Sequence, residues 1–275
     1  MLKNPYPPEE RISFFSLSSG SCGNSCYLGS PRSGILIDAG IGPRVIKKRL
    51  AHYGIELPAI MALLITHDHS DHIKSAAYLG GKLHIPVYAT REVHRAITKQ
   101  SHIRHNLSSA ARYIEKGTPF QVEAFSITAF DVPHDSIDNS GYFIRFGTHT
   151  FTLATDVGAI TGEVARYIRK ANHLVIESNY DEALLNSSRY PHFLKQRITS
   201  GTGHLSNRQT AEFLADNYSP TLRNIWLCHL SGDNNDPQLA YRTVESRLAE
   251  KGIKAGRDVA LHVLQRNILS QKTEF

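Results

Sequence analysis

Hydrophobic residues follow two spacings along this chain, and each spacing predicts one type of secondary structure. Apolar residues that alternate with polar ones, or that form a short unbroken run, are typical of strands, whereas apolar residues three or four positions apart are typical of helices. The pattern predicts strands at residues 12–18, 25–28, 34–38, 59–66, 85–89, 120–130, 141–146, 150–154, 173–177, 225–229 and 259–264. It predicts helices at residues 46–53, 73–79, 92–98, 163–170 and 238–251, and one more that Ser206 caps and that ends near Asn217.

The order of these elements predicts the fold class. Strands lead both halves of the chain and helices punctuate them, which favours two β-sheets packed face to face with helices outside. The expected architecture is an α/β (α+β) fold with four αββα layers. Residues 12–275 are predicted to form one domain after a polar, proline-rich arm at residues 1–11. Residues 101–117 have the weakest pattern, and we expect a surface loop near the functional site there.

Possible metal ligands follow the apolar run at residues 59–66, which is predicted to be a strand buried on both faces. His67, His69, Asp71 and His72 lie within six positions directly after it. Imidazole and carboxylate groups suit divalent transition metals. His67 and His69 point to the same side of an extended segment, so one metal can bind both. A turn after His69 would direct Asp71 and His72 towards a second metal. The alternative is a solvated polar loop that is rich in histidine.

The segment His67-Asp68-His69-Ser70-Asp71-His72 resembles the His-x-His-x-Asp-His signature of the metallo-β-lactamase-fold hydrolases. The resemblance covers nearly the whole chain, because later parts of the family pattern have matches in the expected order. It implies that His134, Asp156 and His229 are metal ligands and that Asp38 orients the histidine loop. Taken singly, His134 could be an ordinary loop histidine, and Asp156 could be the N-cap of the helix near residue 162.

The same resemblance implies a site for two divalent ions, Zn²⁺ or Mn²⁺. One ion would be bound by His67, His69 and His134, the other by Asp71, His72 and His229, and Asp156 would bridge them. The expected mechanism is hydrolysis of a phosphodiester by a hydroxide that bridges the two ions, with Asp71 also counted among the catalytic residues. Six histidines match no position of the pattern and are predicted to lie at the surface: His84, His94, His102, His105, His149 and His262.

Five further blocks resemble a narrower group, the YycJ/WalJ subfamily. They are Ser18-Ser19-Gly20-Ser21-Cys22-Gly23-Asn24, Glu177-Ser178-Asn179-Tyr180-Asp181, Leu194-Lys195-Gln196-Arg197-Ile198, Gly203-His204-Leu205-Ser206-Asn207, and His229-Leu230-Ser231 followed by Asn234-Asn235. The resemblance implies a 5′→3′ exonuclease that acts on double-stranded DNA.

Residues in these blocks supply candidates for substrate binding and proton transfer. Lys195, Arg197 and Asn234 are predicted to contact nucleic acid phosphates, although Lys195 and Arg197 could instead form a solvated helix face. His204 is a candidate general acid, because phosphodiester cleavage must protonate a leaving alkoxide. The alternative for His204 is packing or phosphate binding. For Asn24 and the glycines beside it, a tight turn is the simplest interpretation.

Composition narrows the class of protein. The net charge of +6 favours polyanionic partners, and the YycJ/WalJ resemblance implies DNA rather than RNA. Three cysteines without a repeated spacing indicate reduced thiols, and the first residues have no apolar segment of an export signal, so we expect a cytoplasmic protein. No apolar run approaches the ~20 residues that cross a bilayer, so no membrane partner is expected. The oligomeric state is left open.

Two alternatives to a nuclease remain at this point. One is a glyoxalase-II-like thioesterase or a lactonase with the same fold and ligands. The other is a nucleic-acid-binding or metal-sensing protein without turnover, against which the complete ligand set argues. A ribonuclease J-like chain would need a large extra domain between the bridging Asp and the last His, but only 73 positions separate Asp156 from His229. A true β-lactamase is disfavoured because such enzymes are exported.

Overall fold

The computed structural model describes residues 12–99 and 106–275, which group into two compact units. The first unit contains the described residues up to Ile114 together with residues 267–275, and the second is Glu115–Arg266. The predicted arm at residues 1–11 lies outside the described residues. The prediction of a single domain stays a prediction.

The first unit is built on a seven-stranded mixed sheet with the order β14-β1-β2-β3-β4-β5-β6. Its strands β1 to β3 and β14 pair antiparallel, and β3 to β6 pair parallel. The strands are β1 Ser13–Ser18, β2 Ser25–Gly29, β3 Gly34–Ile37, β4 Ile60–Leu64, β5 Val87–Ala89, β6 Ala111–Tyr113 and β14 Thr273–Glu274. The helices are α1 Pro43–His52, α2 Ser70–Ile73, α3 Ala76–Gly81 and α4 Arg91–Lys99, with a 3-10 turn at Leu57–Ala59.

The second unit has a seven-stranded sheet with the order β13-β12-β11-β10-β9-β8-β7. Strands β7 to β10 pair antiparallel, and β10 to β13 pair parallel. The strands are β7 Phe120–Val122, β8 Phe125–Asp131, β9 Ser140–Phe146, β10 His149–Ala154, β11 His173–Glu177, β12 Asn224–Cys228 and β13 Ala260–Val263. The helices are α5 Gly162–Ile168, α6 Glu182–Ser187, α7 His192–Thr199, α8 Asn207–Asp216 and α9 Pro237–Glu250.

Each unit has its own apolar core, and in each the carboxyl ends of parallel strands carry the predicted site residues. Asp38 follows β3 and His67 lies three residues beyond β4 in the first unit; Asp156, Glu177 and His229 end or follow β10, β11 and β12 in the second. Since carboxyl ends of adjacent parallel strands meet at one edge of a sheet, polar residues from separate segments gather there. Leu63 and Leu227, both fully buried, belong to the cores that hold these edges.

Two local predictions are wrong and one open alternative is excluded, each for a local reason. Residues 120–130 form two strands, because a turn with Glu123 at φ 51° folds the run into a hairpin. The helical stretch predicted at 73–79 is divided between α2 and α3. The N-cap of α5 is Thr161, whose hydroxyl accepts a hydrogen bond from the Val164 N–H, so Asp156 does not cap that helix.

Histidines that match no family position are only partly at the surface. His84 is exposed, and His149 and His262 are half-buried. His94 is buried, contrary to the prediction, because α4 turns it towards β6, where its Nε2 lies 3.3 Å from the Arg112 carbonyl oxygen. His102 and His105 lie outside the described residues. Among the helices described, none is long and apolar enough to span a membrane.

Buried His173 gives a pH-dependent contribution to stability. Its Nε2 lies 3.1 Å from His149 Nδ1, and burial, with His149 and Arg223 nearby, lowers the pKa of His173 from 6.5 to about 3. The folded protein therefore keeps His173 neutral, while the unfolded chain binds a proton below pH 6.5. Its contribution is present above pH 6.5 and is lost as pH falls towards 3. Between pH 7 and pH 5 this one group should lower the free energy of unfolding by about 2 kcal/mol.

The measurement is chemical denaturation of wild type and His173→Gln at the two pH values. The variant should lose about 2 kcal/mol less than wild type between pH 7 and pH 5. The exposed His192 supplies the control, since His192→Gln should follow the wild-type pH dependence. Identical pH dependence in His173→Gln and wild type would show that His173 does not stay neutral in the folded protein.

Candidate metal centre

The first unit brings together the four residues of the histidine loop. After β4 the chain has no regular structure through His67 and His69, and α2 begins at Ser70. This is the turn expected after His69, which would direct Asp71 and His72 towards a second metal. The ring centroids of His67 and His69 lie 4.6 Å apart, and those of His67 and His72 lie 4.1 Å apart. His72 Nε2 lies 3.6 Å from Asp71 Oδ2.

Asp38 holds this loop in place through hydrogen bonds. Its carboxylate accepts hydrogen bonds from the Thr66 N–H (2.8 Å) and from the Thr66 hydroxyl (2.9 Å), and it accepts the His72 Nδ1–H (2.7 Å). Asp38 is buried and has φ 60°, in the left-handed region that non-glycine residues rarely adopt. These contacts fix the orientation of the His72 ring.

The hydrogen bonds select the imidazole tautomer that a metal ligand needs. Since Asp38 accepts the Nδ1–H of His72, the lone pair of that ring lies on Nε2. With the Thr66 hydroxyl hydrogen directed at Asp38, the Nδ1–H of His67 donates to Thr66 Oγ1 at 3.0 Å, which also places the His67 lone pair on Nε2. The donor set of the first unit therefore fits a divalent cation.

Asn24 belongs to this group, although the sequence indicated only a turn for it. Its side-chain amide lies 2.9 Å from His72 Nε2 and 3.2 Å from Asp71 Oδ2, and its Oδ1 accepts the Gly20 N–H. A Cβ at Gly40 would lie 1.6 Å from the Asp71 carbonyl oxygen, so only glycine allows this close packing. The only sequence signal for Asn24 was its place in a subfamily block.

The second unit forms a cluster of four possible ligands. One oxygen or nitrogen atom from each of Asp156, Glu177, His204 and His229 lies within 4.8 Å of the others. His229 Nδ1 is 3.3 Å from Asp156 Oδ1, and His204 Nδ1 is 3.8 Å from the same oxygen. His134 adds a fifth side chain, with its Nε2 3.7 Å from Asp156 Oδ1.

Glu177 lies at the centre of this cluster and was not predicted to have a role. It is fully buried, and its Oε1 accepts the Nδ1–H of His204 (2.9 Å) and of His229 (3.0 Å). Its Oε2 accepts the N–H groups of Val157 (2.8 Å) and Leu205 (3.0 Å). The available sequence signal was a carboxylate at the end of the apolar strand β11. Glu177 thereby directs the Nε2 atoms of both rings away from itself, as Asp38 does for His72.

The pKa values of the second group follow from burial and from these contacts. Burial dominates at His134 and lowers its pKa, so the ring is neutral, as a metal ligand must be. Burial also lowers the pKa of His204, but the charge and hydrogen bond of Glu177, with Asp156, outweigh it and raise the pKa overall. Burial raises the pKa of Glu177, but the charge and hydrogen bond of His204 and the hydrogen bond from His229 outweigh it, so its pKa is lowered and the carboxylate is ionised.

Three of the six non-glycine residues with a left-handed backbone in the described part of the chain are predicted site residues. Asp38, Asp156 and His229 have φ values of 60°, 54° and 55°. Asp38 and His229 directly follow β3 and β12, and Asp156 lies two residues beyond the end of β10. Left-handed conformations of non-glycine residues are costly and cluster at functional sites. The fold thus holds strain at three positions that carry candidate chemistry.

The predicted phosphate-binding residues already make contacts within the protein. Lys195 Nζ donates to the carbonyl oxygens of Asn186 (2.7 Å) and Ser188 (2.8 Å), and Arg197 pairs with Asp135. Asn234 is buried, and its N–H donates to the Ser231 hydroxyl. Lys195 and Arg197 lie on α7, which has no buried residue, as expected if the two side chains form a solvated helix face.

The family follows from the sequence between β3 and β12. Residues 34–224 match the family model described as the beta-lactamase superfamily domain. The chain belongs to this superfamily. Two similar proteins are exodeoxyribonucleases by name: YycJ of Bacillus anthracis, 32% identical over 91% of this chain and 94% of that protein, and WalJ of Streptococcus pneumoniae serotype 2 (strain D39 / NCTC 7466), 33% identical over 94% and 96%.

A solved structure supports the superfamily fold. The metallo-β-lactamase fold protein YhfI from Bacillus subtilis matches with a TM-score of 0.71 over 97% of this chain and all of that chain, at 15% identity. With the two mixed sheets and their helices, this match confirms the predicted metallo-β-lactamase fold class. The predicted resemblance to YycJ and WalJ is confirmed as well.

Proposed function

We propose that this protein is a metal-dependent hydrolase that cleaves phosphodiester bonds in nucleic acid as an exodeoxyribonuclease. The main supporting observation is that two buried carboxylates, Asp38 and Glu177, accept the Nδ1–H of His72 and of His229 and so fix the tautomer that a metal ligand needs. The chain is also similar to two exodeoxyribonucleases over more than nine-tenths of its length. Double-stranded DNA as substrate and 5′→3′ polarity are the finer parts of the proposal.

The proposed metal ligands are those that the sequence resemblance implied. They are His67, His69, Asp71, His72, His134, Asp156 and His229, and we propose that they bind two ions, Zn²⁺ or Mn²⁺. Bound divalent ions would lower the pKa of water and neutralise phosphate oxygens. Asp38 and Glu177 would support the ligands by accepting Nδ1–H bonds from their rings.

His204 is proposed to protonate the leaving oxygen. Its Nδ1–H donates to Glu177, and the raised pKa of His204 favours the protonated ring that a general acid needs. A half-buried position gives this ring access to solvent and substrate, in contrast to the buried His134 and His229. Glu177 would thus stabilise the charged form of His204 and hold the ring in place.

The thioesterase or lactonase alternative has less support. It would use the same fold and ligands, but relatives that match nearly all of this chain are named as nucleases. The net charge of +6 also suits a polyanionic substrate better than a small neutral ester.

Salt dependence of DNA binding tests this choice of substrate class. Binding of a labelled duplex should weaken linearly on a plot of log affinity against log salt, with a slope steeper than about −3, because several phosphates are contacted at ~0.9 per contact. Fluorescence anisotropy between 50 and 200 mM salt, about the range over which such losses are large, gives the slope. A slope near zero would favour a small-molecule substrate.

A further inference from the structure

Helix α7 (His192–Thr199) has no fully buried residue: its Leu194 and Ile198 are half-buried, and its Phe193 is exposed. Isolated helices of this length are marginal in water, and most protein helices are held by an apolar face packed on a core. Phe193 is 71% exposed, the largest exposed fraction among the exposed large hydrophobic residues in the described part of the chain. Contacts other than the packing of this ring must therefore hold the helix in place, and the exposure of the ring calls for an explanation.

Polar contacts supply the attachment. Lys195 Nζ donates to the carbonyl oxygens of Asn186 (2.7 Å) and Ser188 (2.8 Å), and Arg197 pairs with Asp135. In the segment just before the helix, the Tyr190 hydroxyl donates to Asp233 (2.7 Å). Because none of these contacts uses Phe193, the position of the helix is fixed while the ring stays exposed.

The helix ends against the candidate general acid. The His204 N–H donates to the Ile198 carbonyl oxygen at 2.9 Å, and a Cβ at Gly203 would lie 2.2 Å from that oxygen, so glycine is required for the contact. At a rise of 1.5 Å per residue, Phe193 lies about 7.5 Å along the helix axis from Ile198. The end of α7 therefore contacts the segment that carries His204, and Phe193 lies on the same helix.

The ring also lies on the face of α7 that is turned to a predicted ligand. Phe193 and Arg197 are four residues apart and share one helix face. Arg197 pairs with Asp135, the neighbour of His134 in sequence. Ile137, in the same loop as Asp135, is 62% exposed. Apolar surface and the candidate metal ligands thus adjoin on one side of the unit.

An exposed positive charge lies in the segment just before α7. Arg189 is exposed, lies four residues before Phe193, and makes no ion pair within residues 12–99 and 106–275. Exposed aromatic rings beside basic side chains are the usual binding surface for unpaired nucleotides, because every base has a face on which a ring can stack.

We propose that Phe193 is a positioning residue that stacks on a base of the nucleic acid substrate next to the bond to be cleaved, while Arg189 contacts the phosphate backbone. The proposal rests on the proposed nuclease function. The stacked base is an unpaired one at the end of the DNA, since paired bases inside a duplex do not offer a face to a protein ring.

The test compares binding of a labelled duplex with a short unpaired 5′ end by metal-loaded wild type, Phe193→Ala, Phe193→Leu and Phe193→Trp. Phosphorothioate linkages at the 5′ end slow cleavage during the measurement. Phe193→Ala should raise Kd by about 5- to 100-fold, Phe193→Leu should raise it similarly, and Phe193→Trp should restore it. The chain has a single tryptophan, the buried Trp226. In Phe193→Trp, DNA should therefore quench the emission of the added tryptophan, which is exposed.

Tyr113 gives a matched control, because it is also an exposed aromatic residue, but Arg91 already lies over its ring at 4.6 Å. Tyr113→Ala should leave Kd unchanged. An abasic nucleotide at the stacked position should weaken binding by wild type and not by Phe193→Ala.

Each other outcome overturns a distinct statement. If wild type binds and cleaves DNA but Phe193→Ala or Phe193→Leu binds equally well, the stacking proposal is wrong and the nuclease function stands. If wild type neither binds nor cleaves DNA, the proposed function itself fails, and the stacking proposal fails with it. If Phe193→Ala instead abolishes a concentration-dependent self-association, the ring serves contact between copies of the chain.

Discussion

Asp156→Asn should lose nearly all turnover on DNA and should lose bound metal. The substitution keeps the size of the side chain and tolerates the left-handed backbone at this position, where φ is 54°. It removes the negative charge that lies 3.3 Å from His229 Nδ1 and 3.7 Å from His134 Nε2. Loss of a residue that only supports a ligand costs ~10–100-fold in metal affinity or activity, so loss of a bridging ligand should cost more than ~100-fold.

Metal content by elemental analysis and turnover by nuclease assay are measured on the same samples. Wild type should contain two ions per chain after saturation and desalting, and the variant fewer. Asp131→Asn is the control, because Asp131 is an exposed aspartate that pairs with Lys116 at 2.7 Å, and it should match wild type in both measurements. Near-normal activity of Asp156→Asn would show that another residue bridges or that a single ion suffices.

His204→Ala should lower turnover on DNA by ~10²–10⁴-fold while the metal content stays at the wild-type level. The physical reason is the loss of the proton donor to the leaving alkoxide, since Glu177 holds the His204 ring and raises its pKa. On a substrate with a p-nitrophenolate leaving group, which needs no proton, the loss should be much smaller.

His204→Gln separates proton transfer from structure. Its amide can still donate to Glu177, so a structural role would be partly restored, whereas a role as general acid would not. Equal losses on DNA and on the p-nitrophenyl substrate would point to phosphate binding, and a drop in metal content would make His204 a ligand.

Patterns that depend on nearby residues were predicted well from the sequence. The spacing of apolar residues located β11 (His173–Glu177) without error, and the capping box of Ser206 and Gln209 starts α8 where the sequence placed it. Both features depend on contacts within a few residues, which local propensity records. The metallo-β-lactamase fold class, which the resemblance of the histidine segment implied, is confirmed by the family match and by the similar solved structure.

Two contacts between distant residues were not predicted, those of Glu177 and of Asn24. Glu177 accepts from His204, 27 residues later, and from His229, 52 residues later, and no local pattern separates it from any strand-end carboxylate. The contact of Asn24 with His72, 48 positions away, was likewise not predicted from the sequence. The pairing of Arg197 with Asp135 shows why a basic residue in a sequence cannot be equated with a free phosphate-binding charge.

Cleavage of end-labelled DNA is the most direct test of the proposed exonuclease. Purified protein with Mn²⁺ or Zn²⁺ is given duplexes labelled at the 5′ or the 3′ end, with chelator and labelled RNA as parallel samples. We expect early release of the 5′ label in short products and stepwise shortening of the 3′-labelled strand, both abolished by chelator and by Asp156→Asn. Intact DNA with either metal, together with hydrolysis of a thioester or lactone by the same samples, would contradict the account.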